Sequence, residues 1–505
     1  MKPDKLYGML VRFKILALLT VLTVELPAIG STDNKDSSRY ESSVLHLTVT
    51  RAAPDPESPW ALQNTDISGN AGVVISENRV LTQASLVSRA VYIQAQRVDD
   101  VEKIPMEIVF ADYEANLAIL APVKGHRLGN VKIMNIGQDV PLGADVFLIA
   151  IENERQLQRI SLRTLEIGLR ESSIGGISLP IYNLGGQVRS TCKSDPIVRN
   201  GLLVGLCVGV LESQPQVIAA SVIKHFLGDN LTPALYRGFP SMGVSFVPVR
   251  SPWHRKLLGI AEGKGALRVS RIFDTSPFAD CMKDDDVLTA FDSVAIDHRG
   301  FYRHPMWGPV PMRHYIAEKY SGSPLTIHFK RNHIAKECKR NLIRFSGQDS
   351  LVPGATNEGG VPHVIFGGLV FRELSVDYLM VFGRDWRQAS PQDLLFFYTY
   401  LNLPSLKRER KLVMSNVLGD EFNAGYQKLS NLVLSSVNGL PVTSIEGLKT
   451  QLNLPGILRA GVEYAQFDFL DGTQIVLPYK GTSDAHKRIG STYAVTNTSS
   501  FFSRL

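Results

Sequence analysis

The side chains best suited to chemistry lie in one short segment, residues 192–197, which reads C-K-S-D-P-I. A serine beside a lysine is the pair used in serine–lysine dyads, where the amine takes the proton from the attacking hydroxyl. Neighbouring side chains on an extended segment point to opposite faces, so Lys193 and Ser194 would be poor partners unless the turn bends back. Ser85 is a further hydroxyl that would hydrogen-bond to either of them. A rearranged nucleophilic site around Lys193 and Ser194 is therefore one hypothesis.

The elements that position these residues are short and β-rich. From about residue 43 to residue 220, runs such as V-L-H-L-T-V and L-V-G-L are separated by Gly, Asn, Asp and Pro. Regularly spaced short strands are typical of a barrel or sandwich. Helical patterning begins near residues 219–228, where such a β domain would end.

Two later units, residues 238–345 and 361–480, share one order of features. In both, a glycine-led strand comes early and a strand ending in a tight turn comes late, so they look like two copies of one module. Residues 346–360 are rich in Gly, Ser, Asp and Pro and are predicted to be a linker. The polar, Ser/Thr-rich tail, residues 481–505, is predicted to be disordered.

Length and charge indicate a multidomain globular protein. The chain has 505 residues, a length that exceeds what one hydrophobic core usually organises. Its composition, 44% apolar and 20% charged, is that of a folded globular protein. A net charge of +6 is small for this length, and the densest basic run, residues 407–411, contains Glu409. We therefore expect no nucleic acid partner.

The first thirty residues, 1–30, are predicted to be a signal peptide. Basic residues precede the apolar run 15–24, and Ala28, Ile29 and Gly30 offer small side chains near a cleavage point. The prediction is a secreted or periplasmic protein, or a membrane-anchored one if this segment stays uncleaved. Elsewhere no apolar stretch reaches the ~20 residues that a transmembrane helix needs.

The four cysteines are too few and too scattered to predict a disulfide framework or a zinc site. A hairpin turn at residues 199–201 would bring Cys192 near Cys207, which leaves a disulfide and two buried thiols as alternatives. No metal site and no cofactor is predicted.

The order of a β-rich domain, a linker and two modules resembles the HtrA/Do-like (Deg) serine proteases, most of all their plant-type Do-like branch. The resemblance implies a mainly β fold, with a chymotrypsin-like double β-barrel at 43–230, a first PDZ domain at 238–345 and a second PDZ-like α+β domain at 361–480. It rests on these motifs: G-V-V-I-S at 72–76, V-L-T-Q-A-S-L-V at 80–87, A-N-L-A-I-L at 115–120, S-D-P-I at 194–197, D-D-V-L-T-A-F-D-S-V-A-I at 285–296, and V-N-G-L-P-V at 437–442.

Within this resemblance the three triad positions are occupied by residues that cannot play their parts. Ser85 stands where the family has its catalytic histidine, Asn116 where it has the aspartate, and Lys193 where it has the nucleophilic serine. The two glycines that give the family's G-N-S-G-G-P turn its unusual backbone are absent, and Asp195 brings a negative charge near the place where an oxyanion develops. The resemblance therefore implies a pseudoprotease. The enzyme alternative remains a serine endopeptidase with a rearranged site.

PDZ domains bind a peptide C-terminus as an added strand, with its carboxylate held by a glycine-containing loop. Two loops correspond to that place: the first contains Ser241, Met242, Gly243 and Val244, and the second contains Gly367, Gly368 and Leu369. The alternative for each is a tight turn before a core strand. The expected partners are polypeptide segments or C-termini, further copies of the chain, and an active HtrA-type protease. The chain would act as an adaptor, holdase or partner, or else as a structural assembly subunit.

Overall fold

The computed structural model describes residue 40 and residues 42–502, apart from residues 56, 99, 153–155, 172–176, 189–191, 229–235, 262–266, 298, 345–346, 384, 403–408 and 496–497. The predicted signal peptide, residues 1–30, lies outside the described residues, as do residues 503–505.

The first six strands close into a barrel in the order β1-β2-β3-β6-β5-β4. Leu45, Leu47 and Val49 alternate along β1, so their side chains share one face and pack in the barrel core with Val74 and Val80. The elements are β1 Val44–Arg51, β2 Asp66–Ser76, β3 Arg79–Thr82, α1 Ala84–Val87, β4 Ala90–Arg97, β5 Lys103–Asp112 and β6 Leu117–Pro122.

A second closed barrel follows, with strand order β10-β11-β12-β9-β8-β7. Asn200 and Gly201 both have positive φ, which is the geometry of the two-residue hairpin between β10 and β11. The elements are β7 Asp145–Glu152, β8 Gln156–Glu171, β9 Ser178–Gly185, β10 Asp195–Arg199, β11 Leu202–Leu211, β12 Gln214–Ala219 and α2 Ala220–Leu227.

The third unit, here called the first PDZ-like unit, is built on a sheet of order β14-β15-β16-β20-β21. It packs on the second barrel, because Trp307 Nε1 donates to Val140 O at 3.1 Å and the Trp307 ring meets Tyr182 edge-on. The elements are β13 Pro240–Ser241, β14 Val244–Pro248, α3 Pro252–Leu257, β15 Leu267–Ile272, β16 Val287–Phe291, β17 Val294–Ala295, β18 Phe301–His304, β19 Gly308–Pro311, α4 Met312–Ala317, β20 Pro324–Arg331, β21 Ile334–Asn341 and β22 Ile343–Arg344.

The fourth unit, the second PDZ-like unit, has the sheet order β23-β24-β25-β26-β29-β28, with a helical insert between β24 and β25. Its elements are β23 His363–Phe366, β24 Leu369–Glu373, α5 Val376–Leu379, α6 Trp386–Ala389, α7 Gln392–Tyr400, β25 Leu412–Val417, β26 Leu432–Val437, β27 Leu440–Pro441, α8 Ile445–Asn453, β28 Ile457–Arg459, β29 Val462–Phe469, β30 Gln474–Pro478 and α9 Thr482–Thr492. The predicted fold class, mainly β with a double barrel followed by PDZ-like units, is confirmed.

The prediction of a disordered tail from residue 481 is wrong over most of its length. Residues 482–492 form α9, and the side chains of Ala485, His486 and Ile489 are buried. Phe502 N donates to Ile365 O at 2.9 Å, so the chain beyond the helix returns to the edge of β23. The polar composition suggested disorder because the buried side chains lie on one face of α9 and the remaining residues of the helix are mostly polar.

The view that the cysteines are too scattered for a disulfide framework is also wrong. Cys192 is bonded to Cys207, which is the bridged alternative, and Cys281 is bonded to Cys338. The second pair is 57 residues apart in sequence, and the pairing of β20 with β21 places Cys338 on the sheet beside the segment that carries Cys281.

No helix within the described residues is long and apolar enough to cross a membrane.

Candidate functional site

Two of the three triad positions meet in the first barrel. Ser85 is exposed on α1, the single helical turn that follows β3. The side chain of Asn116 is buried, and its Oδ1 accepts the backbone N–H of Ser85 at 2.8 Å. Asn116 has a φ of +59°, a conformation that asparagine adopts more readily than most residues. The predicted partners are therefore in direct contact.

Neither side chain supplies the chemistry of a general base. The amide of Asn116 has no charge with which to stabilise an imidazolium, and Ser85 has no imidazole. Gln83 Nε2 donates to Ser85 Oγ at 2.8 Å and also lies 3.4 Å from Val208 O, which belongs to the second barrel. The hydroxyl of Ser85 is therefore held by an amide at the boundary between the two barrels.

The third triad position, Lys193, lies in the turn before β10, where this turn meets the first barrel. Its carbonyl oxygen accepts the N–H of Ala71 on β2 at 2.8 Å, and its side chain is exposed. The backbone N–H of Lys193 donates to Asp195 Oδ2 at 2.9 Å. An oxyanion formed at this turn would need free backbone donors. Here the donor of Lys193 is already bound to a carboxylate of the same turn.

Ser194 points in the opposite direction from Lys193. Its side chain is completely buried, its Oγ accepts from Thr82 Oγ1 at 3.2 Å, and its N–H donates to Cys207 O at 3.1 Å. Its φ of +71° is unusual for a residue with a side chain, and glycine adopts it without strain. The structure thus keeps the backbone conformation of a glycine at this position and does not bring Ser194 and Lys193 together as a dyad.

A cavity of about 370 Å³ lies directly beside Ser85. Its walls come from three parts of the chain: the loop between β1 and β2, the turn after α1, and the segment 355–357 together with α5. The lining includes Arg51, Asp66, Arg89, Asn357 and Asp377. The sequence did not reveal this cavity, because its outer wall comes from the predicted linker and the fourth unit.

The predicted linker is tied firmly to the first barrel. Arg89 forms an ion pair with Asp377 of α5, and its Nε donates to Thr356 O at 3.0 Å. The backbone N–H of Arg89 donates to Asn357 O at 2.8 Å, and Tyr113 Oη donates to Glu358 Oε1 at 2.9 Å. We call residues 354–358 the strap. It passes beside Ser85, because Ala355 and Asn357 line the same cavity as Ser85.

A second junction forms around the turn between β5 and β6. Glu114 Oε1 accepts the N–H of Gly347 at 3.0 Å, and Asp112 Oδ2 accepts the hydroxyl of Tyr236 at 2.7 Å. Burial, reinforced by the nearby charge of Asp112, raises the pKa of Glu114 to about 7. This carboxyl therefore titrates close to neutral pH at a point where both interdomain connections touch the barrel.

The first predicted peptide loop is packed inward at its start. Ser241, Met242 and Gly243 are buried. Gly243 N donates to Ser241 Oγ at 3.1 Å, and Met242 O accepts from Ser276 Oγ at 2.6 Å. These polar groups are already paired with the chain itself, while Val244 begins β14 and is only partly buried.

The strand that follows this loop, β14, stands at one end of its sheet order and pairs with β15. Phe246 is half-buried on β14, and the Arg313 guanidinium carbon of α4 lies 5.2 Å from the centre of its ring. A sheet edge beside a helix is the geometry in which PDZ domains add a peptide strand. Among the described residues, β14 and α4 therefore offer the arrangement that a bound segment would use.

The second predicted peptide loop does not have this geometry. Gly367 and Gly368 both have positive φ and form the hairpin turn between β23 and β24. Gly367 N donates to His486 Nε2 at 3.0 Å, Gly367 O accepts from Asn423 Nδ2 at 2.8 Å, and Leu369 is fully buried. The prediction of a carboxylate-binding loop here is wrong for this conformation, because the turn is covered by α9 and the segment around Asn423.

A protein-family model described as a PDZ domain matches residues 352–501. The match covers the second PDZ-like unit, including α9, which the predicted boundary at residue 480 had left out.

Curated relatives align along most of the chain. The chain is 24% identical over 472 residues to "Protease Do-like 2, chloroplastic" of Arabidopsis thaliana, covering 90% of this chain and 74% of the relative. It is 20% identical over 453 residues to "Putative protease Do-like 3, mitochondrial" of the same plant, covering 89% of this chain and 78% of the relative.

Among solved structures, "HtrA-type protease AlgWS227A with decapeptide" is similar with a TM-score of 0.48 and 16% identity, covering 61% of this chain and 97% of that one. The alignment with Do-like proteins extends through both barrels and both later units, and the PDZ model matches the last of these. Along most of its length the chain is therefore similar to HtrA/Do-like proteases, and its last unit matches a PDZ domain.

Proposed function

We propose that this chain is a non-cleaving member of the HtrA/Do-like family that binds polypeptide segments or C-termini. The observation that carries the proposal is the turn at Lys193. Its N–H is bound to Asp195 Oδ2, and the neighbouring hydroxyl of Ser194 is buried against Thr82. A serine protease needs a free hydroxyl, a base beside it and free oxyanion donors at one place. At this turn the hydroxyl of Ser194 is buried, the Lys193 side chain is exposed on the opposite side, and the N–H of Lys193 is already bound.

The binding site that we propose is the edge of β14 in the first PDZ-like unit. A polypeptide segment would pair with β14 through its backbone and place a side chain against Phe246 and Arg313. Backbone pairing accepts many sequences, which suits a holdase or adaptor. The cavity beside Ser85 is the less favoured alternative, because residues of the strap form part of its wall.

Secretion is part of the proposal. Two disulfides are expected to persist in an oxidising compartment and not in a reducing cytosol, which agrees with the signal peptide predicted at residues 1–30. Assembly with further copies of the chain, or with an active relative, would present several β14 edges at once and strengthen binding to long unfolded chains.

The test is binding of fluorescein-labelled casein, followed by anisotropy. The variant Phe246→Ala should weaken binding about tenfold, because the side chain facing α4 is removed. Val247 is exposed and points to the other face of the same strand, so Val247→Ala is the matched control and should bind like the parent. Equal binding by all three proteins would exclude the β14 edge.

The enzyme alternative and the assembly alternative make different predictions. A rearranged endopeptidase would react with a fluorophosphonate probe at Ser194, whereas the buried Ser194 of this structure should remain unlabelled. A purely structural subunit would form oligomers normally and bind neither casein nor any member of a library of C-terminal peptides.

A further inference from the structure

The first PDZ-like unit carries an exposed tryptophan that the proposed function does not use. Trp253 is 80% exposed and Leu257 is 75% exposed, although both belong to α3. Residues four apart lie on the same face of a helix, so the two side chains form one apolar ridge. Large apolar side chains that project together into water usually mark a contact surface.

The rest of α3 holds this ridge in place. Leu258 and Ile260, just after the helix, pack with Val249 and Val287 on the sheet. Arg255 donates to Val249 O at 3.2 Å and to Ala261 O at 3.1 Å, which ties the two ends of the segment together. The side of α3 that faces the protein is thus firmly anchored. Trp253 and Leu257 therefore project into solvent from the outer face of an anchored segment.

The surroundings of the ridge are basic. Arg250 and Lys256 are exposed beside it on the same segment, and Leu257 shares a cleft with Lys283 and Lys330. The acidic residues of that cleft are mostly neutralised: Asp285 pairs with Arg268 and Asp286 pairs with Arg331, which leaves Asp284. Among the described residues of this region, Arg250, Lys256, Lys283 and Lys330 therefore outnumber Asp284.

We propose that this surface, the Trp253 face, defined by Trp253, Leu257, Arg250 and Lys256, docks the protein on an anionic lipid surface. Tryptophan settles at the boundary between headgroups and acyl chains, and lysine and arginine next to it reach the phosphates. A stable protein interface takes about 800 Å² from each partner, which two projecting side chains do not provide. Reversible attachment to a membrane can combine a small apolar insertion with the attraction of basic residues to anionic lipids, which is the combination found on this surface.

The proposal is independent of what β14 binds. Attached in this way, the described part of the chain would stay at a membrane surface without a membrane-spanning helix of its own. Binding should weaken with added salt, since the basic residues act at the charged surface.

The test uses the full chain with vesicles of phosphatidylcholine containing about one third phosphatidylserine, followed by flotation. The double variant Trp253→Ser with Leu257→Ser should lose more than about tenfold in partitioning, because both apolar side chains that would enter the membrane are removed. Leu211 is 59% exposed on β11, so Leu211→Ser is the matched control and should bind like the parent. Lys256→Glu should reduce binding to these anionic vesicles and should not change binding to vesicles of phosphatidylcholine without phosphatidylserine.

A second readout reports the position of the ring itself. Brominated lipids should quench part of the tryptophan fluorescence of the parent, and Trp253→Phe should lose that quenching while the other three tryptophans still emit. Unchanged partitioning of the double variant, or unchanged quenching in Trp253→Phe, would overturn the proposal. So would a concentration-dependent dimer that disappears in the double variant, because the Trp253 face would then join two copies of the chain.

Discussion

The contact between Asn116 and Ser85 joins two of the proposed triad positions through the backbone. Asn116 Oδ1 still accepts the backbone N–H of residue 85 at 2.8 Å, an interaction that does not depend on the identity of the side chain at 85. A carboxylate at 116 would accept the same N–H. The structural part of the aspartate's role is therefore preserved, and only its charge is absent.

Restoring the three triad side chains should not restore catalysis. In the triple variant Ser85→His, Asn116→Asp, Lys193→Ser, the Asp195 carboxylate would still accept the N–H of residue 193 and still place a negative charge beside the oxyanion. We expect casein hydrolysis to remain at least about 100-fold below that of a variant that also carries Ser194→Gly and Asp195→Gly, since lost oxyanion donors cost about that much. Equal rates of hydrolysis by the two variants would show that the turn is already competent.

At the scale of elements, the strap and the helical insert join the fourth unit to the first barrel. The Arg89–Asp377 pair connects residues 288 positions apart, and the side chain of Asp377 is only 7% exposed. The charge of a carboxylate with so little access to water is stabilised mainly by its ion-pair partner.

Removing Arg89 should therefore release the strap. For Arg89→Ala we expect a loss of about 2 kcal/mol in the free energy of unfolding, because the buried carboxylate of Asp377 loses its cation and keeps only the N–H of Thr356. Amide hydrogen exchange should become faster at residues 354–358. The matched control is Arg163→Ala, which removes an ion pair with Asp145 whose two side chains are more than half exposed, and it should cause no measurable change in stability or exchange. Slow exchange of the strap in Arg89→Ala would show that other contacts hold it.

The Glu114 junction should make stability depend on pH. The pKa of Glu114 is raised to about 7 in the fold and is near 4.5 in the unfolded chain, so the folded state holds the extra proton between these values. Stability contributed by protonated Glu114 is present below pH 4.5 and is lost as pH rises to about 7. The variant Glu114→Gln keeps an acceptor for Gly347 N and cannot ionise.

We expect Glu114→Gln to be more stable than the parent by about 2 kcal/mol at pH 8, with the difference shrinking towards pH 4.5. Chemical unfolding of both proteins at several pH values measures it. A constant difference across this range would mean that Glu114 is not the group that titrates.

At the scale of the whole molecule, patterns within single strands were readable and contacts between distant segments were not. The alternating Leu45, Leu47 and Val49 predict a barrel strand because burial on one face repeats every second residue. The pairing of Cys281 with Cys338 has no local signal, since only the sheet brings them together. The cavity beside Ser85 could not be predicted either, because part of its wall comes from residues near 355 and from α5, which are distant from Ser85 in sequence.

The candidate site shows the same division. The triad positions were assigned from neighbouring residues that resemble the family's strands and stay a prediction, although the structure does bring Asn116 to Ser85. The covering of Gly367 by His486 could not be foreseen, because α9 begins where the polar composition had suggested a disordered tail. A peptide loop is recognised by its glycines, but whether it is open depends on distant segments.

The central claim, that the site has lost its chemistry, is tested most directly by the hydrolysis of unfolded casein by the purified full-length chain. The matched control is Ser194→Ala, which removes the hydroxyl nearest to the former nucleophile position. The account predicts no peptide release above the casein blank for either protein, because Ser194 is buried against Thr82 and no base faces it at Ser85. Hydrolysis by the parent that disappears in Ser194→Ala would contradict the account.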